Sequence, residues 1–233
     1  MIIQWDTIDG SDNYMDIDRL VGFKKPPSWY SKLTPYWNGS KNFNDFIKTQ
    51  WSTIFQYQNY RMHTVKSCPG FNTFFKKSIQ LKLDNDLLIE TGADGGFVYT
   101  YLGNHFSLSS HNGHEAPGLS NKYIFLKFTY NLAFKYSKDC DVTFIDPVLY
   151  DEQPYRMCPG IIQTQKQNIM YVNVITLFPK VNTKYHFPKG STLACMQFSE
   201  PVKDMKKVDL SEDVKKHNYE GQIRGNNSKY FGK

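Results

Sequence analysis

Three of the six histidines, His105, His111 and His114, fall with Glu115 in one polar stretch, Gly103-Asn104-His105-Phe106-Ser107-Leu108-Ser109-Ser110-His111-Asn112-Gly113-His114-Glu115. Neutral imidazoles and a carboxylate are what a divalent cation takes as ligands at about 2.0–2.2 Å, so the cofactor these residues admit is a divalent metal. His186, ahead of Phe187-Pro188-Lys189-Gly190, is the residue that folding could add as a late ligand. The spacing is irregular for a metal centre, and the competing reading is a hydrogen-bonded polar loop at the mouth of a sheet. Cys68, Cys140, Cys158 and Cys195 are far apart with no Cys-x-x-Cys, which points to reduced thiols and to neither a zinc ribbon nor a disulfide framework. Cys195 lies in an apolar run and Cys140 beside two aspartates, surroundings that raise a thiol pKa and work against a nucleophile. Catalytic residues are therefore left unassigned. A different kind of site is offered by Trp29, Tyr30, Tyr36 and Trp37, set among prolines: they form either a docking platform for a protein partner or an arm covering the edge of its own core.

The elements that would position these groups are mostly strands. Ile79 to Leu83 and Leu87 to Glu90 read as two strands around an Asp84-Asn85 turn, followed by Phe97 to Leu102, Tyr123 to Tyr130, Val142 to Ile145, Ile169 to Phe178, Lys184 to Phe187 and Thr192 to Phe198. Gly92-Ala93-Asp94-Gly95-Gly96 joins two of them and precedes no helix, so it reads as a hairpin loop and not as a phosphate cradle. Phe43, Phe46, Ile47, Trp51, Ile54 and Phe55 recur at helical spacing and predict a helix over about 42–57. A shorter helix opens at Pro69, and Ser211 caps another over Glu212 to His217, with Asn218 onward as a tail. Cys68-Pro69-Gly70 and Cys158-Pro159-Gly160 echo each other as two tight turns, too little to establish a duplication.

Composition agrees. The chain has 233 residues, 40% hydrophobic and 16% aromatic, which excludes a disordered chain and suits pleated, half-buried surfaces. The expected fold is mainly β, an antiparallel sandwich, jelly-roll-like or β-clip-like, with one or two peripheral helices. Three segments are expected: an aromatic, proline-rich arm over 1–40, a single β-rich domain over 41–203, and a polar helix and tail over 204–233. The net charge of +6 comes from scattered lysine pairs such as Lys76/Lys77 and Lys206/Lys207 and not from a stripe, which disfavours nucleic acid as a partner. With no long apolar window and no leader pattern at Met1, no membrane partner is expected, and the chain is expected to stay inside the cell that makes it, not secreted.

Over about 60–200, the segment Thr64-Val65-Lys66-Ser67-Cys68-Pro69-Gly70-Phe71, the strand Ile79 to Leu83, the stretch His111 to Glu115 and the element Lys189-Gly190-Ser191-Thr192-Leu193-Ala194-Cys195-Met196-Gln197 resemble an uncharacterised group of tailed-bacteriophage proteins. That resemblance implies a phage protein of unknown function and supplies no site residues. Gly160-Ile161-Ile162-Gln163-Thr164-Gln165 and the strand after Gly190 are similar to the last part of trimeric deoxyuridine triphosphatases. Gln163 and Gln165 stand where that family has acidic residues, and an amide cannot act as a base, so only the strand arrangement is carried over. The leading expectation is a phage accessory or virion-associated binding or structural protein, free to self-associate, that meets other phage or virion proteins. The alternative is a metal-dependent, cupin-like enzyme using the histidine-rich loop 105–115, although the His-x-His-Glu order of a cupin is broken here.

Overall fold

The structure, a computed structural model, describes residues 1–9, 17–23, 25–33, 65–103, 105–111, 117–147, 149–150, 153–158, 160–166 and 169–231. Two compact units divide the chain, one of residues 1–24 with 77–233 and one of residues 25–76. The larger unit is mainly β, as expected, and is built from three sheets.

The first sheet has the order β14-β1-β7-β11-β9, formed by Asp204–Lys207, Ile2–Asp6, Tyr123–Tyr136, Met170–Pro179 and Arg156–Met157. β6 (Phe106–Ser110) also pairs with β7. β7 is long enough to serve two partners on one edge: its first half takes β6, to the pair Phe106–Tyr130, and its second half takes β1, from the pair Asp6–Ala133. Register slips on β7 opposite Tyr171 and Asn173, across the point where that edge changes partner. β1 and β14 run parallel, while the other pairings are antiparallel.

The second sheet has the order β10-β8-β13-β3-β2, formed by Ile161–Gln163, Asp141–Ile145, Thr192–Phe198, Ser78–Lys82 and Val21–Phe23. Of its three interior strands, β13 and β3 are buried at almost every residue, so they read as continuous runs and not as alternations. The third sheet is β12-β4-β5, formed by Thr183–Phe187, Leu87–Thr91 and Phe97–Tyr101. All three sheets contribute to one apolar core that includes Ile3, Ile79, Ile89, Phe128, Phe178 and Phe198. Tyr136 of the first sheet meets Phe198 of the second at 6.0 Å between ring centres, and Phe178 of the first meets Tyr185 of the third at 5.3 Å.

Several expectations are redrawn. β3 and β4 are strands around the Asp84-Asn85 turn, yet they do not pair with each other: β3 joins β2 and β13, and β4 joins β12 and β5. The turn carries the chain from one sheet to another. Strand propensity is local, while the choice of partner is made by burial on both faces of β3. The polar stretch around His105 contains a strand, β6, in which Phe106 and Leu108 alternate inward between exposed serines. The first residues are no arm, since β1 lies inside a sheet with Ile3 and Trp5 buried.

Among the described residues, α1 (Ile17–Leu20) and α4 (Pro117–Ser120) belong to the larger unit and α2 (Ser28–Lys32) to the smaller, while α3 (Pro69–Lys77) lies in the smaller unit up to residue 76. The last helix, α5 (Ser211–Phe231), runs well past His217. Leu210 and Val214 seat its first turn against Ala133 and Ile169, and Lys135 bonds Asp213 at 2.7 Å. The helix expected over about 42–57 lies outside the described residues. Among the described residues, no helix is long and apolar enough to cross a membrane.

Candidate functional site

Asp84-Asn85-Asp86 is the node from which the polar geometry of the larger unit spreads. Buried Leu83 and Leu87 flank it and pin the turn to the core. The Leu83 N–H donates to the Ser191 carbonyl at 3.0 Å, and the Gly190 N–H donates to the Leu83 carbonyl at 2.7 Å. With the ends so fixed, the two aspartates point apart: Asp84 is 7% exposed and Asp86 lies in solvent.

Asp84 collects two side chains. The Tyr101 hydroxyl donates a hydrogen bond to its Oδ1, and His105 Nε2 stands 3.4 Å from its Oδ2. Tyr101 stacks on Phe106 at 4.0 Å between ring centres, and the fully buried Tyr130 reaches toward the Lys82 carbonyl at 3.5 Å. His105 is further located by its own carbonyl, which accepts the Asn131 N–H at 2.7 Å in the gap between β6 and β1. Gly103 passes so close over the Tyr101 hydroxyl that a Cβ there would have to displace that ring. Burial, and then the bond to Asp84, push the Tyr101 hydroxyl well above its ordinary pKa, and burial does the same for Tyr130. A phenol held this way keeps its proton at neutral pH and is neither a ready base nor a ready acid. The cluster ties the turn between β3 and β4 to the end of β5 and to the residue before β6.

Asp86 makes a second, exposed cluster. Its Oδ1 accepts the Lys189 N–H at 2.7 Å, and its Oδ2 lies 3.4 Å from His186 Nε2. The Lys189 amide first, and then His186, hold its carboxyl below the usual range.

His111 belongs to neither cluster. It stands at the end of β6, where its N–H donates to the Phe125 carbonyl at 2.8 Å, and lines an open cleft of about 320 Å³. Ser110, Ser120, Asn121, Tyr123 and Lys180 share the wall. His105, His111 and His186 are thus not gathered together, and among the described residues no three His, Cys, Asp or Glu side chains form a group fit for a metal. The reason is local: two carboxylates of one turn take two of the rings, and the third sits at a strand end. His114 and Glu115 lie outside the described residues.

The aromatic candidates belong to the smaller unit. Tyr30 is buried, its ring 4.6 Å from that of Phe75, and its hydroxyl donates to Asn72 Oδ1 at 2.8 Å. It is a packing residue, whereas Trp29 remains 41% exposed. Tyr36 and Trp37 lie outside the described residues. Of the thiols, Cys68 is exposed, while burial pushes Cys195 up to about 12 and raises Cys140, with Asp141 and Asp139 adding to the second.

Sequence reasoning passed over Asp84, Tyr101, Gly103 and Lys180. The only signals were an acidic pair two residues apart in a turn and a glycine two residues after a tyrosine, and neither names a partner. No family model, no curated protein and no solved structure matches this chain.

Proposed function

We propose that the chain is a non-enzymatic assembly protein of the tailed-phage accessory or virion-associated kind, which works by joining the edge of β5 that no strand covers among the described residues to the same edge of a second copy. The observation that supports this is the contrast between the two edges of the third sheet. β12 is blunted by Lys184, which pairs with Glu90 at 2.8 Å, and by His186. β5, Phe97-Val98-Tyr99-Thr100-Tyr101, carries neither charge nor proline and exposes Val98 at 65% and Tyr99 at 41%, with Leu102 beyond it at 89%. Edge strands are ordinarily shielded, because their free N–H and C=O groups recruit further strands. An uncharged edge accepts its own copy without repulsion. In an antiparallel pairing centred on Tyr99, Phe97 faces the second copy's Tyr101 and Val98 faces its Thr100, aromatic and β-branched pairs of the favourable kind.

Sedimentation velocity over a concentration series is expected to give a reversible dimer, which Tyr99→Lys shifts to monomer with little change in melting temperature. A chain that stays monomeric throughout, or a dimer indifferent to Tyr99→Lys, would overturn the self-pairing. Quantitative mass spectrometry of purified phage particles is expected to find the protein at a fixed copy number. Detection in infected-cell lysate alone would remove the virion role.

A further inference from the structure

We infer that the cleft beside His111 binds a small organic oxyanion, a compact molecule bearing a carboxylate or phosphate group. Three neighbouring strands of the first sheet end there together. β6 delivers Ser110 and His111, β7 begins with Tyr123, and β11 hands over to Lys180, whose N–H donates to the Lys122 carbonyl at 3.0 Å. His111 stands beside Phe125 and Lys180 beside Lys122, on the two sides of β7; with strands about 4.8 Å apart and a rise of about 3.3 Å per residue, their backbones are roughly 14 Å apart and both side chains line the same cleft.

The lysine is aimed by a second sheet. Gly95, in the β4–β5 turn, has φ of +91°, and Lys180 Cε and Nζ lie 3.1 and 3.3 Å from where a Cβ on Gly95 would stand. A glycine there both accepts the left-handed backbone and leaves the room across which the lysine side chain is laid. Among the described residues the Lys180 ammonium meets no carboxylate, so its charge is available to a ligand. Around it stand groups that donate hydrogen bonds, the hydroxyls of Ser110 and Ser120 and the amide of Asn121, with the imidazole of His111 and the ring of Tyr123 completing the wall. An ammonium laid across Gly95 among hydroxyl and amide groups is the chemistry that recognises an oxyanion, and the aromatic wall suits a small apolar body attached to it. A cleft of about 320 Å³ is at the small end of the range for ligand sites, about 300–1,000 Å³, which limits the ligand to a compact molecule.

Inorganic phosphate and acetate, each titrated into the isotope-labelled full chain at constant ionic strength, test this by amide chemical shifts. Saturable shifts are expected at Gly95, Ser110, His111, Asn121 and Lys180, and the stronger of the two anions identifies which group the cleft prefers. Lys180→Met is expected to weaken that binding about tenfold, the usual worth of one charge-assisted bond, and Lys180→Arg to restore most of it. If Lys180→Met does not fold, Ser110→Ala with Asn121→Ala takes its place, with a weakening of the same order expected. Shifts that do not saturate, that fall elsewhere on the surface, or that survive these substitutions would overturn the assignment.

Discussion

Asp84 shows how much a single side chain decides in this protein. Its carboxylate is the acceptor for Tyr101 and the neighbour of His105, and it is nearly sealed from water. Tyr101→Phe keeps the ring that stacks on Phe106 but withdraws the donor, leaving a buried carboxylate with one partner fewer. The expected cost is about 1–3 kcal/mol, read as a lower urea midpoint at unchanged slope. An unchanged midpoint would mean that water already satisfies Asp84. None of this was legible locally, because Asp84 and Asp86 are the same residue type in the same turn. Only the sheets on either side determine that one faces the core and the other the solvent.

At the scale of elements, the first turns of α5 show the balance of local and tertiary control. The Ser211 N–H donates to Asp209 at 2.9 Å, Asp6 accepts the Leu210 N–H at 3.0 Å, and Tyr171 donates to Asn218 at 2.7 Å. A helix this polar draws much of its stability from the docking of its first turns. Leu210→Ala is expected to cost about 2 kcal/mol and to speed amide exchange through Val214 to His217. Exchange that is unaltered would show that the helix stands without its anchor. The start of α5 was legible from Ser211 and the acidic residues after it, but its length was not. β6 was overlooked for the opposite reason: its two inward residues, Phe106 and Leu108, sit among so many polar neighbours that the stretch reads as a loop.

For the whole molecule, pH is the informative variable. Asp86, Glu200 and Asp209 are each held below the ordinary carboxylate range, by the Lys189 amide, the Lys138 ammonium and the Ser211 amide respectively. A depressed carboxylate adds stability that is complete above its unfolded pKa, about 4, and is lost as pH falls through the lower folded value. All three are exposed, so each contributes little, but they lie at separate chain junctions and act together. The urea midpoint is therefore expected to fall below about pH 4, and Asp86→Asn to flatten part of that fall. A variant with the parent's full pH dependence would show that Asp86 has no share in it.

Alternating and continuous apolar runs determined from the sequence alone that the chain is mainly β, and they located eight of its strands, because side-chain period and β-branched or aromatic content are local properties. The hairpin at Gly92 to Gly96 and the helix opening at Pro69 were legible for the same reason: glycine and proline act on their own backbone. What only the tertiary structure decided is which strands pair, that Asp84 parts two sheets, that His105 and His186 answer to one turn while His111 joins Lys180 in a cleft, and that among the described residues β5 pairs on one edge alone. These are relations between residues distant in the chain, set by which faces can be buried together, and no window of sequence contains both partners.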